Sequence, residues 1–305
     1  MNKTFIFGHK NPDTDSITSS LVMENFEKAL GNDAIACRLG KVNKETQYVL
    51  NYLGISAPEL LENLETGSNV ILVDHANYDE SINNLKDMNI IKVVDHHRTD
   101  LNTPSPLYYR AEPVGCTETV LYKMYKEYGI EINKTIATLM LSAIISDTLL
   151  FKSPTCTSED TKAAKELAKI AEIDIENYGL DMLKAGTDIS DFSIDEILSM
   201  DAKSTSLKDV KVIINQVNTA CIDDVMKLQN DLESGMKKSI EENNLDLFML
   251  LITDIVNSNS QVIALGKRTD LIEKSYNVKL ENNTALLKGV VSRKKQVIPI
   301  MTENA

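Results

Sequence analysis

Two apolar runs constrain this chain more than anything else in it. Asn69-Val70-Ile71-Leu72-Val73 and Ile90-Ile91-Lys92-Val93-Val94 are almost unbroken Val, Ile and Leu. A strand with one wet face alternates apolar and polar residues, whereas a strand covered on both faces need not. Runs of this kind belong to a parallel sheet packed between layers of helix or chain. The flanking sequence agrees. An apolar strand is expected at 4–8 and another at 34–39. Helices are expected at 16–30, where Ile17, Leu21, Val22 and Phe26 recur at helical spacing before Gly31, and at 44–53. Further helices follow at 117–128, 134–146, 158–171 and 175–184, with Thr117 and Asn133 as candidate N-caps of the first two.

The pattern changes after residue 186. Gly186-Thr187-Asp188-Ile189-Ser190-Asp191-Phe192-Ser193 is small and polar between two periodic stretches, as a linker is. Beyond it, Val225, Leu228, Leu232, Met236 and Ile240 outline one long amphipathic helix, and strands are expected at 246–255, 261–266, 285–288 and 296–300. The fold class is therefore α/β: an N-terminal, doubly wound parallel-sheet domain over 1–187, a hinge at 188–194, and a smaller C-terminal α+β domain with a mixed sheet over 195–305.

The formal net charge of −13 argues against nonspecific binding to nucleic acid. Cys37, Cys116, Cys156 and Cys221 are widely spaced with no C-x-x-C, as expected for reduced thiols in a cytoplasmic protein. The apolar stretch before Gly8 is too short for a signal-peptide core. No run approaches the ~18 apolar residues of a membrane span, so no membrane partner is expected.

All four histidines fall in three short segments that also carry aspartate: Gly8-His9-Lys10-Asn11-Pro12-Asp13-Thr14-Asp15, Asp74-His75 and Asp95-His96-His97. Each segment follows a predicted strand. In an open α/β sheet, ligands bind beyond the carboxyl ends of the strands, so segments distant in sequence can converge there. Imidazole and carboxylate together suit first-row divalent metals. Asn11–Asp15 taken alone also fits a proline turn with an aspartate capping the next helix. That leaves His9 and the repetition at two other strand ends unexplained. Asp147 closes the run Thr138-Leu139-Met140-Leu141-Ser142-Ala143-Ile144-Ile145-Ser146, where a carboxylate is costly to bury unless paired or bound to a cation; the other possibility is an exposed helix end. Ser292-Arg293-Lys294-Lys295 is a basic run in an acidic chain. It is either a solvated charge run or an anion clamp, and Lys203 is a weaker candidate for the same clamp.

These residues resemble a known family. His9-x-x-x-Asp13-x-Asp15, Asp74, Asp95-His96-His97 and Asp147 are similar to the motifs of the DHH phosphoesterase superfamily. With Lys203 and Ser292–Lys295 added, the whole chain resembles a family II, manganese-dependent inorganic pyrophosphatase whose second domain is of the DHHA2 type. The resemblance implies two metal ions per subunit, Mn²⁺ or Co²⁺, with additional Mg²⁺ arriving with pyrophosphate. His9 and Asp13 would hold one metal, and Asp15, His96 and Asp147 the other, with Asp74 bridging. Two nitrogens among carboxylates suit Mn²⁺ better than Mg²⁺ alone. Asp95 would orient an imidazole, and His75 would be structural or sit behind the ligands. His97, Lys203, Arg293 and Lys294 would face the substrate. The implied reaction is hydrolysis of pyrophosphate to two orthophosphates by a water bridging the metals, with the substrate clamped between the domains. A homodimer through the N-terminal domain is also implied.

Two other functions share parts of the pattern. A DHH phosphoesterase acting on oligonucleotides, nucleotide 3′-phosphates or short polyphosphate would have the same metal site. Such relatives carry a Gly-Gly-Gly-His run in the second domain. Here no such run exists, no histidine follows His97, and aromatic content is 5% with no Trp to stack bases. There is also no room for the regulatory nucleotide-binding insert that some family members carry. A non-catalytic metal- or phosphate-binding regulator would bind Mn²⁺ without hydrolysing any phosphate compound.

Overall fold

The computed structural model describes residues 3–305. The chain divides into two compact units, Met1–Gly186 and Thr187–Ala305.

The first unit is built on six strands: β1 (Thr4–Phe7), β2 (Ala34–Arg38), β3 (Glu59–Leu60), β4 (Asn69–Val73), β5 (Asn89–Asp95) and β6 (Tyr108–Ala111). Their order is β3-β2-β1-β4-β5-β6 and every pairing is parallel. The order doubles back between β1 and β4, so adjacent loops diverge there and leave a crevice at the strands' carboxyl ends. Strand β4 shows why its sequence is continuously apolar. Ile71 and Val73 join one core, while Val70 and Leu72 join the core on the opposite face. The first face is covered by α1 (Thr14–Ala29), α3 (Thr117–Tyr128), α4 (Lys134–Thr148) and α5 (Ser158–Ala171), with Val49 of α2 (Lys44–Leu53) and Met182 of α6 (Ile175–Gly186) joining the same core. The second face is closed mainly by Ala76, Ile82, Leu85 and Met88, in a segment whose only helical part is the short 3-10 turn Leu85–Asp87.

Helix ends follow local chemistry. The Asn43 side chain accepts from Thr46 N–H at 2.7 Å to open α2, and Gly54, at φ 65°, closes it. Asn133 caps α4 as expected, its Oδ1 accepting from Ile136 N–H at 3.0 Å. Thr117 does not cap α3. Cys116 holds the cap position, and the Thr117 hydroxyl leaves the helix altogether.

The second unit carries a five-stranded sheet in the order β11-β10-β9-β8-β7, from β7 (Ala202–Leu207), β8 (Val210–Thr219), β9 (Leu247–Asp254), β10 (Asn259–Gly266) and β11 (Thr284–Lys288). Only β8 and β9 pair in parallel, so the sheet is mixed. Central strand β9 is buried throughout, with Leu247, Met249 and Leu251 on one face and Phe248, Leu250 and Ile252 on the other. The first face packs on α10 (Asp270–Tyr276) and α11 (Ile298–Asn304). The second packs on α7 (Ile194–Ser199), α8 (Ile222–Met226) and α9 (Gln229–Asn243). The single amphipathic helix expected across 225–240 is two helices separated by a turn at Lys227–Leu228. The strand expected at 296–300 is helical instead. Pro299 sits in the first turn of α11, where its missing N–H costs nothing, and Val297 and Met301, four apart, bury against the sheet. No helix among the described residues is long and apolar enough to cross a membrane.

Candidate metal centre

The crevice at the β1/β4 reversal is where the expected ligands meet. His9 and Asp13 leave the end of β1, Asp74 follows β4, and His96 and His97 follow Asp95 at the end of β5. Asp15 is in the first turn of α1 and Asp147 in the last turn of α4. His9 Nε2 lies 3.5 Å from Asp13 Oδ2 and 3.4 Å from Asp74 Oδ2. His96 Nε2 lies 3.5 Å from Asp74 Oδ1, 3.7 Å from Asp147 Oδ2 and 3.9 Å from Asp15 Oδ2. Three groups have donor atoms within 4.8 Å of one another: the triads His9–Asp13–Asp74 and Asp15–His96–Asp147, which hold the expected ligands, and Asp74–His96–His97 between them. The two oxygens of Asp74 point to different triads.

Asp13 shows how one side chain serves two readings of the sequence. Its Oδ1 caps α1 by accepting from Ser16 N–H at 2.9 Å, and its Oδ2 remains turned toward His9. His96 donates from Nδ1 to Val114 O at 3.0 Å, which leaves Nε2 facing the carboxylates. His96 Nε2 and Asp74 Oδ2 are buried without a hydrogen-bond partner. Leaving such atoms unpaired is costly. Divalent cations held in the two triads would satisfy one atom each, and the mix of two imidazoles with carboxylates suits Mn²⁺. The residues present therefore fit the metal.

Electrostatics in the crevice point the same way. Burial disfavours the charged form of His9, but Asp13 and Asp74 outweigh it and raise the ring to about 10. Burial likewise opposes His96, and Asp74 and Asp15 raise it to about 9. Burial pushes Asp15 up to about 7, reinforced by the Asp74 charge. Asp147 is driven well above the carboxylate range by burial and then by Asp15 and Asp74. Burial would raise Asp74 too, but His9 and His96 hold it below that range. A cation that binds such a cluster displaces the protons its acids and bases share.

Asp95 is fully buried, and its Oδ1 accepts from His96 N–H at 2.7 Å, His97 N–H at 3.0 Å and His97 Nδ1 at 3.0 Å. It therefore orients the His97 ring, whereas Val114 orients His96. His97 is half exposed, with Nδ1 3.6 Å from Asp74 Oδ1. It lines a cavity of ≈ 350 Å³ with His9, Lys10, Asn11, Asp74, Asp79 and Glu80. His75 is buried apart from the ligands, its Nδ1 on Val73 O at 2.9 Å and its Nε2 on Ser81 Oγ at 3.1 Å.

The candidate cations lie in the second unit. Lys203 is opposite Ile214 in the β7–β8 ladder, and the Arg293 guanidinium reaches Ile214 O at 3.4 Å, so these two are brought to one edge of that sheet. Arg293 is ion-paired with Asp201 Oδ1 at 2.7 Å. Lys294 and Lys295 are exposed and have no ion pair among the described residues. Ser292 Oγ accepts from Lys295 N–H at 3.2 Å, so it shapes the turn.

Residues outside the expected set also support the ligands: Val114 accepts from His96, Thr117 donates to Asp15 and Asp74, and Ser19 Oγ donates to Asp15 Oδ1 at 2.8 Å. For the turn that carries Val114 and Thr117, the sequence signal was Pro113-Val114-Gly115 ahead of a helix, which marks a tight turn.

Comparison with known proteins agrees over the full length. Residues 3–144 match the DHH family, N-terminal domain, and residues 180–304 match the DHHA2 domain. The manganese-dependent inorganic pyrophosphatase of Bacillus subtilis (strain 168) is 54% identical over 305 residues, covering 99% of each chain. A Methanococcus jannaschii protein classed with the family II inorganic pyrophosphatases has a crystal structure that superimposes with a TM-score of 0.64 at 39% identity, covering 99% of both chains. An exopolyphosphatase-related protein from Bacteroides fragilis shares the fold, with a TM-score of 0.50 at 15% identity over 99% of this chain and 91% of that one. With both domains matched in order and more than half of its residues shared with a full-length relative, the chain belongs to the manganese-dependent, family II inorganic pyrophosphatases.

Proposed function

We propose that this protein hydrolyses inorganic pyrophosphate to two orthophosphates at a two-metal centre. The observation that carries this reading is the convergence of His9, Asp13, Asp15, Asp74, His96 and Asp147 from four separate stretches of chain into two ligand triads, with Asp74 in the first and within 3.5 Å of His96 in the second. His9 and Asp13 would hold one Mn²⁺ (or Co²⁺), and Asp15, His96 and Asp147 the other, with Asp74 common to both. Additional Mg²⁺ would accompany the substrate. When bound, the metal pair supplies Lewis-acid activation of water and of the phosphoryl oxygens.

The chain's own residues then position, protonate and neutralise. Water adds to one phosphorus as the bridging P–O–P bond breaks. The hydrogen bond that His97 Nδ1 donates to Asp95 is the main influence on His97 and outweighs burial, so the ring is held above its ordinary basicity. With Nδ1 bonded to Asp95, its Nε2 is free to donate a proton to a phosphate oxygen. Lys203, Arg293 and Lys294 would neutralise the substrate's negative charge, with residues 188–194 as the hinge that lets the second domain close over it. This division gives the metal-binding domain 1–187 and the substrate-clamping domain 195–305.

The reading includes a cytoplasmic homodimer joined through the first domain. In support, β6 is an edge strand of the first sheet and presents exposed Tyr108 and Tyr109. The test of function is phosphate release from pyrophosphate by chelator-stripped protein reloaded with Mn²⁺ in Mg²⁺ buffer. Fast turnover that collapses without Mn²⁺ is expected. Negligible release, or equal release with Mg²⁺ alone, overturns the proposal.

A further inference from the structure

The turn that leads from β6 into α3 touches three of the metal-binding side chains without supplying a ligand. Val114 O accepts from His96 Nδ1 at 3.0 Å. Thr117 N–H donates to Asp15 Oδ2 at 2.7 Å, and Thr117 Oγ1 donates to Asp74 Oδ1 at 3.1 Å. Thr117 is fully buried and is the first residue of α3. A backbone N–H in a first helical turn has no acceptor within its own helix. Asp15 supplies that acceptor from 102 residues away in sequence, and its carboxylate gains from the positive end of a 12-residue helix. One residue thus fixes two carboxylates from separate elements, Asp15 in the first turn of α1 and Asp74 just after β4.

The turn is held from its other side by Asp160 of α5, which is fully buried. Asp160 Oδ2 accepts from Gly115 N–H at 2.9 Å, and Oδ1 accepts from Thr119 Oγ1 at 2.6 Å, so the carboxylate brackets Thr117. It also accepts from Thr157 N–H at 2.7 Å and Thr157 Oγ1 at 2.6 Å, which welds the start of α5 to the same point. The packing leaves no slack. A Cβ on Gly115 would sit 2.8 Å from Asp160 Oδ2 and 2.9 Å from Thr148 Cγ2.

We propose that Thr117 is a positioning residue of the metal centre, clamping Asp15 and Asp74 in ligating geometry, and that Asp160 fixes the turn that carries it. The inference rests on the two-metal reading above. Thr117 Oγ1 takes up one lone-pair direction of Asp74 Oδ1 and so sets how the remaining directions are divided between the two triads. Partners of ligands commonly contribute about 10–100-fold to metal affinity.

The test measures Mn²⁺ affinity of the chelator-stripped full-length protein, from the paramagnetic resonance signal of free aqueous Mn²⁺. Thr117→Val keeps the shape and the N–H bond to Asp15 but removes the hydroxyl; Thr117→Ser keeps both. Affinity is expected to fall about 10–100-fold in the valine variant and to stay within about threefold of wild type in the serine variant. Asp160→Asn replaces an acceptor facing Gly115 and Thr157 N–H groups with a donor, and about a tenfold loss is expected at temperatures well below its melting point. Asp160 contacts no ligand, so a merely structural role would lower the melting temperature and leave Mn²⁺ affinity intact. That result for Asp160→Asn, or wild-type affinity in folded Thr117→Val, overturns the proposal. Wild-type protein that takes up no Mn²⁺ would instead sink the two-metal reading itself.

Discussion

Gly8→Ala should damage the metal centre through packing alone. Gly8 joins the end of β1 to His9, and a Cβ placed there would lie 2.8 Å from Ser16 Cβ and 2.9 Å from Ser16 Cα, with Ser16 Oγ closer still. The hydroxyl can rotate away, but the two carbons belong to the first turn of α1 and move only with the helix. Ordinary carbon contacts are about 3.5–4.0 Å, so the helix start must retreat by roughly 0.6 Å or more. Asp15 directly precedes Ser16 and Asp13 caps the same turn through Ser16 N–H, so both would be carried away from His9 and His96. Metal–ligand distances tolerate about 0.2 Å, several-fold less than that displacement. Overpacking of this kind costs about 1–3 kcal/mol. If a comparable amount is taken from metal binding, Mn²⁺ affinity falls about tenfold or more. The assay is Mn²⁺ titration of stripped protein beside thermal unfolding, with Gly31→Ala as the comparison. Gly31 has φ 84° and open space where a Cβ would go, so its substitution strains the backbone by about 1–2 kcal/mol and leaves the ligands in place. A Gly8→Ala protein with wild-type Mn²⁺ affinity would refute the packing account.

His97→Asn should retain both metals and slow turnover by roughly 10²–10⁴-fold, read from pre-loaded enzyme; an unchanged kcat removes His97 from proton transfer. Arg293→Ala should leave Mn²⁺ affinity untouched and lower kcat/KM about 10–100-fold, the range for losing a charge-assisted hydrogen bond; normal kinetics would return Ser292–Lys295 to an ordinary charge run. Mn²⁺ binding should release protons and strengthen with pH. His9 and His96 sit at about 10 and about 9 without metal, so both carry protons at pH 7 that Mn²⁺ must displace, and the requirement fades as pH rises through those values. Calorimetric titration in buffers of different ionisation enthalpy measures the release, and equal affinity at pH 7 and 9 would contradict it.

The sequence showed the first domain well because its signals are local. Val70–Val73 must be apolar at every position to serve two cores, and that is visible without coordinates. The second domain was less legible at its ends. Val297-Ile298-Pro299-Ile300-Met301 is short and apolar, a run in which strand and helix periods cannot be told apart; Pro299 in a first helical turn was the cue that favoured helix. Strands β7 and β8 were not anticipated: lysines punctuate them, and β7 is exposed along most of its length. In the candidate site, the strand-end histidines and aspartates were visible as residue types at spacings. Thr117 was not, because a threonine before an apolar run looks like a helix cap, and its contact with Asp74 depends on a partner 43 residues away.

The helix ends around the crevice do not treat its carboxylates alike. Asp13 caps the N-terminus of α1, and Asp15 sits both in the first turn of α1 and against the N-terminus of α3, where helix dipoles favour negative charge. Asp74 is held by His9, His96 and the Thr117 hydroxyl. Asp147 has none of this. It lies in the last turn of α4, where the dipole disfavours a carboxylate, and burial together with the Asp15 and Asp74 charges already pushes it well up. Its one cationic neighbour among the ligands is His96, whose Nε2 lies 3.7 Å away and is shared with Asp74 and Asp15. At the wrong end of a helix and in an apolar run, such a carboxylate stays ionised only if a cation completes its surroundings. Of the six proposed ligands, Asp147 is therefore the one least explained by protein contacts and most explained by a bound metal.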